Sequence, residues 1–174
     1  MMCSRVCLIV LLMLITTSLS FAQTQKCTKT AKESTPTSRF ENLGEVVKDQ
    51  TTQKLWLRCA LGMQWSGSAC EDKTSTYTYI DALSAVEKHN QQKTAGRSNW
   101  RLPTRDELLS IVEKRCHNPS INLDVFSYSP QSGFWSSTEN PGLLNMRMEI
   151  VHFLYGDAFI ANKNQSWRVR LVAD

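Results

Sequence analysis

The 174-residue sequence lacks the motifs that mark the common enzyme classes. It contains no Gly-x-Ser-x-Gly, no phosphate-binding loop and no carboxylate pair distinguishable from ordinary surface acids. His89, His117 and His152 do not have metal-ligand spacing, and the cysteines form no close Cys-x-x-Cys pairs of the kind that bind zinc. We therefore expect no catalytic residue, no metal ligand and no cofactor, although oxygen atoms in the loops are suited to a structural calcium ion.

Long hydrophobic runs are also missing. The apolar stretch of residues 6–15 is too short to cross a membrane comfortably. Arg5 precedes it, and Ser20-Phe21-Ala22 places small residues where signal peptidase reads them. These features predict a signal peptide over residues 1–22 and a protein exported to the periplasm or secreted, with no transmembrane segment in the mature chain. An uncleaved membrane anchor is the alternative.

The main part of the chain has no net charge. Of 20 basic and 16 acidic residues, Arg5 lies in the signal, and four cations lie with one acid in residues 23–39, which leaves fifteen of each sign from Phe40 onward. A protein that binds nucleic acid is usually more basic. Together with export, this balance predicts no nucleic-acid partner.

Four cysteines follow the signal, and an even number in an exported chain indicates disulfides. Three pairings are possible. Cys59 and Cys70 flank a loop with two glycines, so we pair them with each other. Cys27 then pairs with Cys116 and attaches the N-terminal tail to the end of a helix.

The chain is organised as one domain after a tail. Residues 23–39 are polar and predict a flexible lead, and residues 40–174 show no repeat or second domain. Residues 45–49 and 54–58 predict two strands, and in the second of them Leu55 and Leu57 alternate with Lys54, Trp56 and Arg58.

Two helices are predicted, over residues 79–91 and 105–116. Ala82, Leu83, Val86 and either His89 or Asn90 recur every three or four residues and make one stripe along the first helix. Leu108 and Cys116 share the inner side of the second, which would place Cys116 at the end of the helix.

The strongest local signal is the run Trp100-Arg101-Leu102-Pro103-Thr104 before the second helix. Pro103 holds the preceding residue extended. Thr104 and Glu107, three residues apart, form a capping box. The run therefore predicts an extended segment, anchored by a tryptophan, that turns sharply into a helix.

The last third of the chain predicts strands. Residues 134–138, 147–155, 157–161 and 167–172 make a meander, with a tight turn at Gly156 and Asp157. Within it, Val151, Phe153 and Tyr155 are expected to share one face. Two helices beside a mostly antiparallel, loop-rich sheet predict an α+β domain.

Several short motifs follow one another over residues 40–172. They are Val47-x-Asp49, Leu55-Trp56-x-Arg58-Cys59, Gly62-x-x-Trp65, Cys70, Ala82-Leu83, Trp100-Arg101-Leu102-Pro103-Thr104-x-x-Glu107-Leu108, Pro119-x-Ile121, Phe134-Trp135-Ser136-Ser137-Thr138 and Val169-Arg170. This ordered set resembles the Lcl C-terminal-like domain, a domain of unknown function named for the C-terminal domain of a bacterial collagen-like adhesin. Many members have a cysteine where this chain has Leu171.

The resemblance implies a C-type-lectin-like fold, with two helices packed on a small twisted antiparallel sheet with long loops. It also implies an exported bacterial protein, and the named adhesin binds sulfated glycosaminoglycans. The run from Trp100 to Thr104 is similar to one in the formylglycine-generating enzymes. Their chemistry uses a late cysteine pair, and no cysteine follows Cys116 here, so this activity is disfavoured.

The candidate ligand contacts are Arg147, Lys163, Trp167 and Arg168, since cations suit sulfate or carboxylate groups and a tryptophan suits a sugar ring. The leading hypothesis is an adhesin-like recognition module for a glycan or a surface protein. The alternative is a periplasmic structural or accessory subunit of an envelope assembly. The sequence leaves the oligomeric state open.

The other tryptophans divide into two groups. Trp56, Trp100 and Trp135 lie within the motifs and are expected in the core, as is Phe134. Trp65 is as well suited to a ligand as to the core.

Overall fold

The computed structural model describes residues 24–141 and 146–174, so the predicted signal peptide lies outside the described residues. Within those residues, two α-helices and eleven short strands in four antiparallel sheets make an α+β fold, as predicted. No helix in the described part of the chain is long and apolar enough to cross a membrane.

The elements follow one another in this order. The helices are α1, Tyr79–Gln91, and α2, Arg105–Ser110, with 3₁₀ turns at Thr37–Arg39 and Thr94–Gly96. The strands are β1 Lys26–Cys27, β2 Phe40–Leu43, β3 Val46–Asp49, β4 Leu55–Leu57, β5 Gln64–Trp65, β6 Cys70–Glu71, β7 Cys116–His117, β8 Gly133–Glu139, β9 Arg147–His152, β10 Asp157–Asn162 and β11 Val172–Ala173.

The four-stranded sheet has the order β11-β4-β3-β2. Its strand β4 is buried on both faces, since Leu55, Trp56 and Leu57 are all in the core. Successive side chains of this strand therefore point alternately to two buried faces, and not to one buried and one exposed face. Sequence reasoning missed β2, because Phe40 is its one buried residue and no alternation marks the strand.

The three-stranded sheet, in the order β10-β9-β8, lies between two hydrophobic cores. Leu108 of α2 packs on one side with Phe134 and Val151. Ala82 of α1 packs on the other side with Trp135 and Ile150. Alternate residues of a strand point to opposite faces, so neighbours in β8 and β9 supply different cores.

Helix α1 has the predicted bounds, but its apolar stripe is narrower than predicted. Ala82 is fully buried, whereas Leu83 is 45% exposed. Thr78 caps the helix by accepting a hydrogen bond from the Asp81 N–H at 3.3 Å. The cap and the packing of Ala82 define this helix.

The second helix is shorter than predicted. It ends at Ser110, and Cys116 lies in β7. Val112 forms a bridge with Ile121, and the buried Glu113 accepts the N–H groups of Ser34 and Thr35. These tertiary contacts bury the apolar residues beyond Ser110 without continuing the helix.

The C-terminal strands also differ from the prediction. The meander has three strands, because β11 joins β4 in the other sheet. Tyr155 is 64% exposed and does not share the burial of Val151 and Phe153. The turn lies earlier than predicted: residues 153–156 connect β9 to β10, and Asp157 is the first residue of β10, opposite His152. Gly156 has the predicted positive φ, +86°, and donates its N–H to the carbonyl of His152 at 2.9 Å.

The segment from Trp100 to Glu107 has the predicted form. Thr104 and Glu107 make both hydrogen bonds of the capping box, at 2.8 and 3.1 Å. Arg101 also donates to both carboxylate oxygens of Glu107, at 2.7 and 2.8 Å. The buried Trp100 donates its indole N–H to the carbonyl of Thr94 at 2.8 Å.

Residues 24–39 lie against the domain, in contrast to the flexible lead that their composition predicts. Strand β1 pairs with β7, and the Gln25 amide donates to the carbonyls of Pro119 and Ile121 at 2.6 and 2.7 Å. Thr35 is buried against Glu113. Hydrogen bonds and the Cys27–Cys116 disulfide hold the segment, and hydrophobic patterning reveals neither.

Both predicted disulfides are formed. Cys59 bonds to Cys70, and Cys27 bonds to Cys116. The first closes the loop that contains β5, and the second fixes β1 beside β7.

Reduction of the disulfides is expected to lower the melting temperature. In the chain-entropy model, a loop of 11 residues contributes about 3 kcal/mol and one of 89 residues about 4–5 kcal/mol. Circular dichroism of the oxidised and reduced mature chain measures the change, with a thiol count to verify reduction. An unchanged melting temperature after full reduction would contradict the expectation.

Replacement of Glu107 by alanine is expected to lower the free energy of unfolding by about 2 kcal/mol, since it removes the cap and the bonds to Arg101. Asp106→Ala is the matched control, because Asp106 lies in the same turn and is exposed. Urea unfolding measures both variants, and equal losses would refute a special role for Glu107.

The contribution of Glu107 should also depend on pH. Burial alone raises the pKa of Glu107, but hydrogen bonds from Arg101 and the Thr104 N–H lower it overall. A lowered folded-state pKa gives a stabilisation that is complete above the ordinary value of about 4.3 and is lost as the pH falls below it. The stability difference between wild type and Glu107→Gln should therefore shrink between about pH 5 and pH 2.

Candidate functional site

A cleft of about 270 Å³ opens beside the loop that the Cys59–Cys70 disulfide closes. It lies between the end of β4, the strand β5 and the end of α1. The lining residues are Glu45, Leu57, Cys59, Leu61, Gly62, Met63, Gln64, Trp65, His89 and Thr94.

Trp65 lies on a short hairpin at one side of the cleft. Its strand β5 pairs with β6, so that Trp65 is opposite Cys70. Gly62 has φ +96°, and a Cβ atom at this position would lie 2.5 Å from the backbone nitrogen of Ser75. Only glycine allows this close approach, and it lets the chain turn from the disulfide toward Trp65.

The side chain of Arg58 supports the indole of Trp65. Its guanidinium carbon lies 4.4 Å from the centroid of the ring, within the range of a cation–π contact. Arg58 donates to the carbonyls of Gly44 and Val125, both at 2.9 Å, and to the Asn42 side-chain oxygen at 2.6 Å. Burial lowers the pKa of Arg58, but an arginine stays charged in proteins. The fixed cation therefore holds the ring in place.

Polar groups surround the remaining part of the cleft. Glu45 and Gln64 are exposed, and His89 is half-buried, with its Nδ1 atom 2.8 Å from the hydroxyl oxygen of Thr94. Burial lowers the pKa of His89, and the nearby charge of Lys88 lowers it further, which favours the neutral form of the imidazole. The cleft thus combines one aromatic ring with several hydrogen-bonding groups.

The four candidate contacts predicted from the sequence do not form one patch. Arg147 and Lys163 lie near each other, because Arg147 is opposite Asn162 in the β9–β10 pair. The Lys163 ammonium lies 5.4 Å from the centroid of the Tyr79 ring and 3.8 Å from the carboxylate of Glu139. This pair lies at the end of the sheet where β8 finishes.

The other two candidates lie near the beginning of β8, where Trp167 is beside Gly133 and Arg168 forms a bridge with Phe134. Trp167 packs edge-on against His152, with ring centroids 6.1 Å apart, and lies beside Gly133. Arg168 donates to the carbonyl of Thr74 at 2.6 Å. Arg168 and most of the Trp167 surface therefore contribute to the fold, and the four candidates contact different parts of the protein.

A second, apolar depression of about 220 Å³ is lined by His152, Leu154, Tyr155 and Phe159. The His152 Nδ1 atom accepts the N–H of Leu154 at 3.2 Å, which makes Nε2 the protonated nitrogen. Burial lowers the pKa of His152. This depression offers few hydrogen-bonding groups to a polar ligand.

The predicted core positions of Trp56, Trp100, Trp135 and Phe134 are confirmed, since all four side chains are buried. Leu102 is buried as well. In residues 24–141 and 146–174, no group of three or more His, Cys, Asp or Glu side chains has a geometry that could hold a metal ion.

Sequence reasoning did not assemble the cleft. Its polar residues Glu45, Gln64 and His89 come from three separate parts of the chain, and no local spacing connects them. The one sequence feature that indicated a site here was Gly62-x-x-Trp65, which lies between the disulfide-bonded Cys59 and Cys70. It marked Trp65 as a candidate without indicating its neighbours.

Comparison with known proteins places this architecture in a family. No curated protein matches the sequence. The Lcl C-terminal domain matches residues 45–173, which is more than half of the chain and includes every residue that lines the Trp65 cleft. The chain therefore belongs to the Lcl C-terminal domain family, which connects it to an adhesin-related domain of unknown function.

Proposed function

We propose that this domain is an exported recognition module that binds a neutral carbohydrate in the cleft beside Trp65. The observation that carries the proposal is the indole ring, fixed by Arg58 and bordered by Glu45, Gln64 and His89. An aromatic face suits the apolar side of a sugar ring, and the polar groups suit its hydroxyls. The two disulfides support export to an oxidising compartment.

The size of the cleft favours a short ligand or the end of a longer one. Its volume of about 270 Å³ is near the lower limit of small-molecule pockets, which is about 300 Å³. One or two sugar rings are the natural occupants. This is the binding mode of a module that recognises chain ends or side branches.

The charges favour a neutral sugar over a sulfated one. Glu45 borders the cleft and would repel a sulfate or carboxylate group. Arg58, the cation beside Trp65, already donates three hydrogen bonds to the protein. The cations Arg147, Lys163 and Arg168 do not line the cleft.

Binding is favoured over catalysis by the chemistry of the lining. Hydrolysis of a glycosidic bond ordinarily uses two carboxyl groups, and among the described residues that line the cleft Glu45 is the one carboxylate. Cys59 is held in a disulfide and cannot act as a nucleophile. The arrangement supports recognition without bond cleavage.

Replacement of Trp65 by alanine is expected to weaken carbohydrate binding by about tenfold or more, because it removes the stacking surface. The ligand is first identified on an array of neutral and sulfated glycans at physiological salt, and affinities are then measured by calorimetry. Tyr155→Ala is the matched control, since Tyr155 is an exposed aromatic residue outside the cleft. Melting temperatures verify that both variants are folded.

Two results would contradict the proposal. Binding restricted to sulfated polymers, retained in Trp65→Ala and lost in Arg147→Ala or Lys163→Ala, would assign recognition to the C-terminal strands. Absence of binding to any glycan, with the chain retained in the periplasm, would instead favour the accessory subunit of an envelope assembly.

A further inference from the structure

A wide depression of about 580 Å³ borders the same hairpin, β5–β6, as the Trp65 cleft. We call it the Tyr128 depression, and it is lined by Met63, by residues 68–72 and by Tyr128. Both residues of β5 line the cleft, whereas both residues of β6 line the depression. Each pocket therefore borders a different strand of the hairpin.

The hairpin between the two pockets is narrow. Gln64 lines the cleft and Glu71 lines the depression, and these two exposed residues are opposite each other in the β5–β6 pair. Paired strands lie about 4.8 Å apart. Met63, just before β5, lines both pockets. A chain-like ligand in the cleft therefore needs to cross only Gln64 and Glu71 to reach the depression.

Tyr128 gives the depression an aromatic ring, as Trp65 does for the cleft. The Tyr128 residue is 41% exposed. Its φ is +53°, which is a backbone conformation that bulky residues rarely adopt. Strain of this kind persists only where the surrounding contacts enforce it, and it is concentrated at functional sites such as ligand-binding positions.

The residues on both sides of Tyr128 are held by hydrogen bonds. The Ser127 hydroxyl accepts the N–H of Cys70, in β6, at 3.0 Å. The Ser129 hydroxyl accepts a hydrogen bond from the buried guanidinium of Arg170 at 2.9 Å. The backbone at Tyr128 is therefore fixed to the hairpin on one side and to the core on the other.

We propose that the Tyr128 depression is a second carbohydrate subsite, and this proposal rests on the proposed function of the Trp65 cleft. The end of an oligosaccharide occupies the cleft, the chain crosses the hairpin over Gln64 and Glu71, and a later sugar ring lies against Tyr128. Aromatic rings suit the apolar faces of the sugars, and the polar side chains between them suit the hydroxyls. The occupant is longer than the one or two rings that fill the cleft.

The charges of the depression favour the same class of sugar as those of the cleft. Its charged lining residues, Glu71 and Asp72, are both acidic. They would repel a sulfate or carboxylate group, whereas a carboxylate accepts hydrogen bonds from hydroxyls. The occupant of the two subsites is therefore a neutral oligosaccharide and not a sulfated or uronic-acid chain.

Affinity as a function of ligand length tests the second subsite. Linear oligosaccharides of glucose, galactose or N-acetylglucosamine, from the monosaccharide to the hexasaccharide, are titrated into the oxidised mature chain by calorimetry. Wild-type affinity should rise by about tenfold or more beyond the disaccharide, because a second ring then stacks on the protein. Tyr128→Ala should abolish this gain and leave disaccharide affinity unchanged, whereas Trp65→Ala should lower the affinity for every length.

Further variants separate the loss of the ring from a loss of folding. Tyr128→Phe keeps the ring and should bind like the wild type. Tyr128→Asn removes the ring but suits a positive φ, so it should behave like Tyr128→Ala. Tyr155→Ala is the matched control, since Tyr155 is an exposed aromatic residue that lines neither pocket. Melting temperatures verify that the variants are folded.

The outcomes distinguish the subsite from the proposed function of the cleft. If the wild type and Tyr128→Ala bind the longer oligosaccharides equally while Trp65→Ala loses binding, the second subsite is overturned and the function of the cleft stands. An equal loss of disaccharide affinity in Tyr128→Ala and Trp65→Ala would also overturn the subsite, because Tyr128 would then act on the cleft itself. Absence of binding to every neutral oligosaccharide would overturn both.

Discussion

The buried guanidinium of Arg170 is the constraint on which the rest of the structure depends. Arg170 is 1% exposed and lies between the rings of Phe126 and Phe134, with its guanidinium carbon 4.8 and 5.6 Å from their centroids. It donates to the Ser129 hydroxyl at 2.9 Å and to the carbonyl of Leu57 at 3.2 Å, and it also donates to the carbonyl of Arg58. Burial lowers the pKa of Arg170 to about 9. A buried cation without partners is costly, so these contacts fix the chain around it.

The position of the cleft follows from that constraint. The carbonyls that Arg170 holds belong to Leu57 and Arg58, at the end of β4. Leu57 lines the cleft, and the Arg58 side chain supports the ring of Trp65. Arg170 therefore fixes the backbone at Leu57 and Arg58, and the side chain of Arg58 in turn fixes the ring of Trp65 at the surface. This arrangement suits recognition, because a ligand that meets a fixed ring loses less free energy to ordering the site.

The elements that the sequence predicts well are those with local signals. The capping box at Thr104 and Glu107 and the bounds of α1 depend on residues a few positions apart, and the structure contains both. The disulfide pairing follows from the short loop between Cys59 and Cys70. The α+β fold class follows from the order of helical and extended segments. The predicted signal peptide, carbohydrate ligand and C-type-lectin-like fold remain predictions.

The elements that the sequence predicts poorly depend on contacts between distant residues. Helix α2 ends at Ser110 because the following residues bond to Ser34, Thr35 and Ile121. Strand β11 pairs with β4 in the four-stranded sheet and therefore does not extend the C-terminal meander. Leu171, where many relatives carry a cysteine, is fully buried in the hydrophobic core. The cleft assembles residues from separate segments, which spacing along the chain does not reveal.

The free energy of unfolding of Arg170→Met tests the central role of Arg170 most directly. Methionine keeps much of the side-chain volume but removes every donor, so the carbonyls of Leu57 and Arg58 and the Ser129 hydroxyl each lose the hydrogen bond from the guanidinium. Urea unfolding should show a loss of about 3 kcal/mol or more, whereas Arg147→Met, at an exposed position, should change stability by less than about 0.5 kcal/mol. Equal or greater stability of Arg170→Met would contradict the account. It would show that burying the guanidinium costs at least as much free energy as its hydrogen bonds and ring contacts contribute.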